Sequence, residues 1–259
     1  DDDNLITWDA EDVQLTWMDA KVDGKVITPR RGKNVEINAL WYNTLRIAAF
    51  FADIADDDAS YTAYGMHADK IKASFEEKFW FEDGQYLYDT ISEHGVDQAI
   101  RPNQIMALCL PYPVLEGEKA EIVLNCVNRF LLTPYGLRTL APGHPEYKAR
   151  YSGDLNSRDH AYHQGTVWPW LMGPYVDAFL NVRGVSKESA ENAVKMLQPL
   201  TDHLETAGLG TISEIFDAEA PHKARGCYSQ GWSVAELLRV YIRLLKIIKG
   251  IIPEEQVSE

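Results

Sequence analysis

Two carboxylates in the sequence stand among apolar neighbours. Asp19 follows Trp17 and Met18 in "LTWMDAK", and Glu214 lies between apolar residues in "GTISEIFD". An apolar flank disfavours the charged form of a carboxyl group, so such a group can hold a proton and deliver it. Hydrolysis of a glycosidic bond needs one protonated and one ionised carboxyl group. Most of the 39 acidic residues are nevertheless expected in solvent, and sequence spacing alone does not pair these two.

Two polar segments carry side chains suited to sugar hydroxyls. Planar amides can donate to one hydroxyl and accept from another, and pyranose faces lie well on aromatic rings. Both segments allow a plain structural interpretation, as a helix N-terminus and as core aromatics. The candidate substrate contacts in "IRPNQ" and "HQGTVWPW" are Arg101, Asn103, Gln104, His163, Gln164, Trp168 and Trp170.

A metal site is not expected from these motifs. His160 and His163 have the i,i+3 spacing of a helical ligand pair, but no third ligand follows at helical spacing. No cofactor motif accompanies them. We therefore predict a metal-free and cofactor-free site.

A third segment, "RRGKNVEINALWYN", begins a predicted helix. It places Glu36, Asn38 and Trp41 on the first turns, where they are further candidates for substrate binding. A core position for Trp41 is an equally simple interpretation.

Composition narrows the class of ligand. The formal charge of −14 repels nucleic acid and anionic membrane surfaces, and no apolar run approaches the roughly 20 residues of a membrane span. Neutral or cationic ligands remain, and 7 Trp and 13 Tyr suit sugars, although a large core also uses such residues. Three widely spaced cysteines fit neither a disulfide framework nor a zinc site, which predicts a reduced, cytoplasmic protein.

Hydrophobic periodicity predicts a helical domain that covers residues 1–259. Apolar residues recur at three- and four-residue steps, and Asp83-Gly84 between aromatic residues predicts one small β-hairpin. The seven predicted helices cover 36–54, 64–79, 103–110, 118–132, 161–181, 187–204 and 233–249.

The segment from Thr133 to His160 is much longer than the about 4–6 residues of a typical connection. Its tyrosines and mixed charges favour a functional loop over disorder. Successive helical hairpins with long loops at one end indicate an all-α fold, an α/α toroid whose loops form a pocket. A plain helical bundle is the alternative.

Taken together in chain order, five segments resemble the glucosidase domain of glycogen debranching enzymes, the amylo-α-1,6-glucosidase type. These segments are "LTWMDAK" with "TPRRGKNVEINALWYN", "IRPNQ", "YHQGTVWPWLMGPY", "ISEIFD" and "YSQGWSVAELLR". The resemblance implies a six-hairpin toroid and metal-free, inverting hydrolysis of single α-1,6-linked glucose stubs on glycogen or another branched α-glucan. It also implies that Asp19 is the general acid and Glu214 the general base.

Other functions stay open at this stage. The chain could be a non-catalytic glycan-binding fragment, or a toroid hydrolase for another α-glucosidic linkage or for trehalose. Seven predicted helices are fewer than the twelve of a six-hairpin ring, the first residues are "DDDN", and the family's upstream Gly-Arg-Asp segment is not found. We therefore expect a toroid that is incomplete on its N-terminal side. Upstream parts of the same protein or a second copy would complete it.

Overall fold

Helices form most of the regular structure of residues 1–252, the part of the chain that the computed structural model describes. The predicted domain also included residues 253–259, which lie outside the described residues. The helices are α1 (Val35–Ile54), α2 (Asp58–Phe79), α3 (Met106–Cys109), α4 (Gly117–Phe130), α5 (Leu155–Ala161), α6 (Met172–Arg183), α7 (Lys187–His203) and α8 (Gly231–Ile248).

Local capping explains where several helices begin. The Asp57 carboxylate accepts a hydrogen bond from the Ser60 backbone N–H at 3.0 Å and starts α2 directly after α1, which produces the predicted helical hairpin. Ser186 and Ser189 form a reciprocal capping box at the start of α7. Such caps satisfy backbone donors that the first helical turn leaves free.

One predicted helix is wrong over its first half. Residues 161–181 were expected to be helical, but only the part from Met172 is in α6. The preceding residues form a strand, Val167–Trp168, and a 3₁₀ turn, Pro169–Leu171. Pro169 lacks a backbone N–H and keeps Trp168 extended, with φ −113° and ψ 115°. Pro169 therefore prevents the helix that the apolar pattern predicts in this segment.

The structure contains more β-structure than predicted. The hairpin around Asp83-Gly84 is confirmed, but it is one of four small antiparallel sheets in the described residues. The strands are β1 (Lys21–Val22), β2 (Lys25–Val26), β3 (Lys33–Asn34), β4 (Trp80–Phe81), β5 (Tyr86–Leu87), β6 (Thr90–Ser92), β7 (Gly95–Asp97), β8 (Leu132–Thr133), β9 (Gly136–Arg138), β10 (Val167–Trp168), β11 (Ile215–Phe216) and β12 (Ala224–Arg225).

A five-stranded sheet with the order β12-β11-β10-β9-β8 is the largest of these sheets. Its strands β8 and β9, together with helix α5, organise much of the long segment 133–160. That segment is therefore built into the fold. The sheet joins it to two distant parts of the chain, around Trp168 and around Phe216.

The core lies between the helices, and α8 is apolar on two faces. Leu237, Val240, Leu244 and Ile247 are buried in the core. The stripe that the sequence marks most clearly, Ala235, Leu238, Ile242 and Leu245, faces solvent instead. None of the helices within residues 1–252 combines the length and apolar composition needed to cross a bilayer. All three cysteines are free thiols.

Candidate active site

The five-stranded sheet carries Glu214 to the "HQGTVWPW" segment. Strand β11 begins one residue after Glu214, and its Phe216 pairs with Val167 of β10. On its other side β11 pairs with β12 in a hairpin, so that the residues after β12 return past Glu214. Pairing between strands only two residues long therefore decides the surroundings of this carboxylate.

Three donors hold the half-buried Glu214 carboxylate. The Tyr162 hydroxyl donates to Oε1 at 2.6 Å, and the Cys227 backbone N–H donates to Oε2 at 2.8 Å. The Gln230 side-chain amide donates to Oε1 at 3.4 Å. Hydrogen bonds from neutral donors stabilise the negative charge of a carboxylate and fix its orientation. These three bonds hold the carboxylate in one orientation, which a group that activates a bound water requires.

Gly226 makes this arrangement possible. It has φ +65°, in the left-handed region that glycine adopts most easily. A Cβ at this position would collide with Oε2 of Glu214. The absence of a side chain therefore lets the backbone approach closely enough for the Cys227 N–H to reach the carboxylate.

Tyr162 links the two candidate carboxylates. Its burial, its hydrogen bond to Glu214 and the negative charges of Glu214 and Asp19 all raise the pKa of its phenol well above the ordinary value. The phenol therefore remains a donor at neutral pH. Trp17, two residues before Asp19, and Tyr162 both pack against Trp168, with ring centroids 5.7 and 4.9 Å away, so the loop of Asp19 and the Glu214 carboxylate meet at the same aromatic cluster.

Asp19 is exposed, and its neighbours anchor its loop. Met18 is buried, and the Trp17 indole N–H donates to Oδ1 of Asn103 at 2.7 Å. Trp17 and Met18 therefore face the interior while Asp19 faces solvent. The expected apolar enclosure of the Asp19 carboxyl group is not present in the described residues. Instead, the contacts of Trp17 and Met18 fix the position of the loop.

An aromatic cluster forms the floor beside these carboxylates. Trp17 packs edge-on against three rings, those of His163, Trp168 and Trp170, with centroid distances of 5.1–5.7 Å. Trp168 and Trp170 are buried, whereas Trp232 is 41% exposed and stacks on Trp170 at 4.0 Å. The accessible tryptophan is thus Trp232, which the sequence interpretation did not include among the candidate residues.

His163 lies in this floor with both ring nitrogens lacking a hydrogen-bond partner among residues 1–252. The side chain is fully buried and stacks on Trp168 at 5.5 Å. Burial, with a smaller effect of the Arg101 and Arg30 charges, lowers the pKa of His163 to about 3. The ring is therefore neutral at physiological pH and packs as an aromatic residue.

Arg101 is a buried structural residue in this arrangement. Its guanidinium donates to the backbone oxygens of Thr139 and His163, at 3.1 and 2.8 Å, and to Oε1 of Gln164 at 2.8 Å. Gln104 in turn donates to the Arg101 backbone oxygen at 3.1 Å. These predicted substrate contacts are buried and bonded to protein groups, and they hold the "HQGTVWPW" segment in place.

A second buried network supports Asn103. Its amide donates to Oδ1 of Asp89 at 2.7 Å, and Asp89 accepts from Arg30 at 2.6 Å. Arg30 also forms a buried ion pair with Glu36. Glu36 was predicted to bind substrate, but here its carboxylate balances a buried guanidinium.

The other two candidates on α1 also have partners within the protein. Asn38 accepts from the Ile6 N–H at 2.7 Å and donates to the Ile6 carbonyl at 3.1 Å, which anchors the N-terminal segment. Trp41 packs edge-on against His67 of α2, with centroids 5.8 Å apart. The structure therefore does not bring Trp41 into the aromatic floor around Trp17.

Away from the candidate site, three possible metal ligands of the described residues lie close together on the surface. Oxygen or nitrogen atoms of Asp9, Glu93 and His94 lie within 4.8 Å of one another, and all three residues are exposed. Arg31 forms an ion pair with Asp9 and already supplies a positive charge there.

The sequence profile of the family described as amylo-alpha-1,6-glucosidase matches residues 1–239. The chain belongs to the amylo-α-1,6-glucosidase family. It is therefore a glycoside hydrolase domain. A similar relative is the glycogen debranching enzyme of Saccharomyces cerevisiae, with 25% identity over 221 residues. That alignment covers 70% of this chain and 14% of the yeast protein, so the amylo-α-1,6-glucosidase domain corresponds to a small part of its relative.

Solved structures share the fold of this amylo-α-1,6-glucosidase family member. A sialidase superposes with a TM-score of 0.64 at 17% identity, covering 89% of this chain and 20% of the other. A GH63 mannosylglycerate hydrolase from Thermus thermophilus in complex with glucose gives 0.56 at 16% identity, with 82% and 48% covered. A GH78 rhamnosidase of a Bacillus species gives 0.52 at 17% identity, with 93% and 21% covered. These neighbours share the helix-rich fold of this chain.

Proposed function

We propose that this domain hydrolyses α-1,6-linked glucose stubs of glycogen or a related branched α-glucan, with inversion at the anomeric carbon. The observation that carries the proposal is Glu214 held by three donors, one of which is Tyr162, whose ring packs on Trp168 together with Trp17 of the Asp19 loop. Two carboxyl groups in one neighbourhood meet the requirement of glycoside hydrolysis. Family membership and the debranching relative support the choice of linkage.

In the proposed reaction Asp19, in its protonated form, gives its proton to the glycosidic oxygen while the bond from that oxygen to C1 breaks. A water on the opposite face of the sugar attacks C1 and passes a proton to Glu214. The α-linked glucose leaves as β-glucose, and one water is consumed. Solvent then returns Asp19 to the protonated form and takes the proton from Glu214. The fixed carboxylate of Glu214 suits the role of the base, and the exposed carboxyl group of Asp19 is accessible to a bound glycoside.

Trp232 is the surface on which we place the glucose ring. Its exposed indole stacks on buried Trp170, which keeps the ring plane fixed. Gln230, two residues before it, caps α8 and also donates to Glu214. The same helix start therefore positions both an apolar platform and the proposed base. Trp168 and Trp170 contribute by supporting the platform.

We also infer that the helices form part of an α/α toroid. The exposed stripe of α8, from Ala235 to Leu245, has the three- and four-residue spacing of a helix-packing face. Exposed apolar area of this kind marks an interaction surface. A further helix of the parent protein, packed along α8 as the next member of the ring, is the occupant that fits the proposed architecture.

The direct test is incubation with a glucosyl-branched maltooligosaccharide, followed by measurement of free glucose and its anomeric form by NMR. Release of β-glucose is expected at early times, before mutarotation. Release of α-glucose would contradict inversion. Binding of the oligosaccharide without release would favour a glycan-binding domain.

Removal of the Tyr162 hydroxyl should slow the reaction and change its pH dependence. In Tyr162→Phe the Glu214 carboxylate loses its shortest hydrogen bond, and a carboxylate with fewer donors is protonated more readily. We expect kcat to fall about tenfold. We also expect the acidic limb of the pH profile of kcat to move to higher pH, since more base is then protonated at a given pH.

Tyr151→Phe is the matched control for this variant. Tyr151 packs against Tyr162 with centroids 5.6 Å apart, and its hydroxyl donates to no carboxylate in the described residues. Its pH profile should resemble that of the wild type. An unshifted acidic limb in Tyr162→Phe would show that the phenol does not support the base.

A further inference from the structure

His203, the last residue of α7, is buried beside the segment that carries Glu214. Its Nε2 lies 3.0 Å from the Ser213 hydroxyl oxygen and 3.4 Å from the Ser213 backbone nitrogen. Ser213 is itself buried and directly precedes Glu214 in the chain. A buried imidazole therefore contacts both hydrogen-bond donors of the residue next to the proposed base.

The partners of the imidazole define one protonation state. The Ser213 backbone N–H can only donate, so Nε2 is an acceptor, and the hydrogen of the neutral ring lies on Nδ1. Nδ1 lies 3.0 Å from the Thr206 hydroxyl oxygen, and that hydroxyl donates to the His203 carbonyl at 2.9 Å. In the imidazolium both ring nitrogens would be donors, and Nε2–H would face the Ser213 N–H. The neutral Nδ1–H tautomer is therefore the form that satisfies these contacts.

Packing favours the neutral form and brings the ring to both sides of Glu214. The imidazole lies edge-on to Phe216, with centroids 4.9 Å apart, and to Tyr135 at 6.2 Å. Burial disfavours the charged form and lowers the pKa of His203 below its ordinary value. Ser213 comes one residue before Glu214, and Phe216 comes two residues after it in β11. One side chain thus contacts the chain before and after the proposed base.

Backbone hydrogen bonds hold the opposite edge of the same segment. The Glu214 N–H donates to the Cys227 carbonyl at 2.8 Å, and the Gln230 N–H donates to the Ile212 carbonyl at 2.9 Å. These bonds join the segment to the residues before α8, whereas His203 joins it to the end of α7. The backbone from which the carboxylate projects is therefore fixed from two directions. Such precision matters because a displacement of about 1 Å can lower a rate about 10²-fold.

We propose that His203 is a positioning residue for the reaction. Its imidazole, as the Nδ1–H tautomer, holds Ser213 and thereby keeps the Glu214 carboxylate where it meets the attacking water. This inference rests on the proposed function, because it assigns a support to the base of that reaction. His203 acts through Ser213, so its loss should misplace the base without weakening the binding of glucose.

The test compares two variants of the imidazole. His203→Phe keeps a ring of similar size, whereas His203→Gln supplies an amide oxygen that can accept from Ser213 in place of Nε2. We expect His203→Phe to lower kcat about tenfold, with KM within about twofold of the wild type, because the base is misplaced while the aromatic platform is intact. His203→Gln should restore kcat to within about threefold of the wild type. The losses should be equal on the glucosyl-branched maltooligosaccharide and on α-glucosyl fluoride, since the attacking water needs the base with either leaving group.

Ser213→Ala provides a second measurement that leaves the imidazole in place. Removal of one hydrogen bond should lower kcat about fivefold. If both residues act through one contact, the double variant with His203→Phe should be slower than His203→Phe alone by no more than about twofold. Ser233→Ala is the matched control, because Ser233 is also buried but its hydroxyl has no hydrogen-bond partner within residues 1–252. Its kcat should stay near the wild-type value.

Three kinetic results would overturn the role of His203: an unchanged kcat in His203→Phe, a loss confined to KM, or losses that multiply in the double variant. Imidazole nitrogen NMR of the wild type tests the tautomer independently of activity, and a hydrogen on Nε2 at neutral pH would also overturn it. If the unfolding midpoint shows that His203→Phe does not fold, Ser213→Ala and the NMR measurement decide. Wild-type release of glucose together with any contrary result rejects the role of His203 alone. A wild type that releases neither glucose nor fluoride rejects the hydrolytic function, and this role with it.

Discussion

Asp19→Asn should abolish most hydrolysis of a glucosyl-branched maltooligosaccharide. An amide cannot deliver the proton that the glycosidic oxygen needs, and general acid catalysis contributes typically about 10²–10⁴-fold. We expect kcat to fall by at least about 10³-fold, because the departing sugar hydroxyl is a poor leaving group without protonation. The side chain is exposed, so the fold and the thermal unfolding midpoint should remain.

The leaving group distinguishes an acid from a merely structural residue. α-Glucosyl fluoride releases fluoride without a proton from the enzyme, so Asp19→Asn should lose far less activity on it than on the branched glucan. Asp12→Asn is the matched control, since Asp12 is exposed in the same loop and asparagine tolerates its φ of +49°. Equal losses on both substrates would remove Asp19 from the acid role.

Glu214→Gln should be as damaging, but for both substrates. Water must lose a proton as it attacks C1 whatever group departs, so the loss of the base affects the fluoride and the glycoside alike. We expect kcat to fall about 10³-fold on each. The substitution keeps the size of the side chain, and its amide oxygen can still accept from Tyr162 or Cys227.

Glu219→Gln serves as the control for this second variant. Glu219 is an exposed carboxylate five residues further along the chain and accepts a hydrogen bond from Tyr147. Its replacement should leave kcat on both substrates near the wild-type value. A Glu214→Gln variant that retains most of its activity would show that another group accepts the proton from water.

Much of the helical frame is predictable because its signal is local. In α1, α4, α7 and α8 apolar residues repeat with the helical period, and the predicted bounds agree with the observed ones within about two residues. The "HQGTVWPW" segment was misread because a proline and a glycine within an apolar run stop a helix. The segment instead forms a strand and a 3₁₀ turn.

The site itself divides between sequence and tertiary structure. The motifs around Asp19 and Glu214 indicated both candidate carboxylates and the family. A motif consists of residue types in a given order, and the sequence shows both directly. Tyr162, Gly226 and Trp232 were not predicted as site residues, because their roles depend on partners distant in the chain. The donor from Tyr162 reaches Glu214 across 52 positions.

The sequence by itself determined most of the helical frame, the motifs that contain the two candidate carboxylates and the class of reaction. Only the tertiary structure decided which polar residues are buried supports, as for Arg101 and Glu36, and which tryptophan is accessible. It also decided which face of α8 is buried. The physical reason is that helical period and turn chemistry are set by neighbours a few residues away. Long-range packing decides where two-residue strands pair, which charged residues form buried ion pairs and which side chains are exposed. Such packing produces no periodic pattern in the sequence.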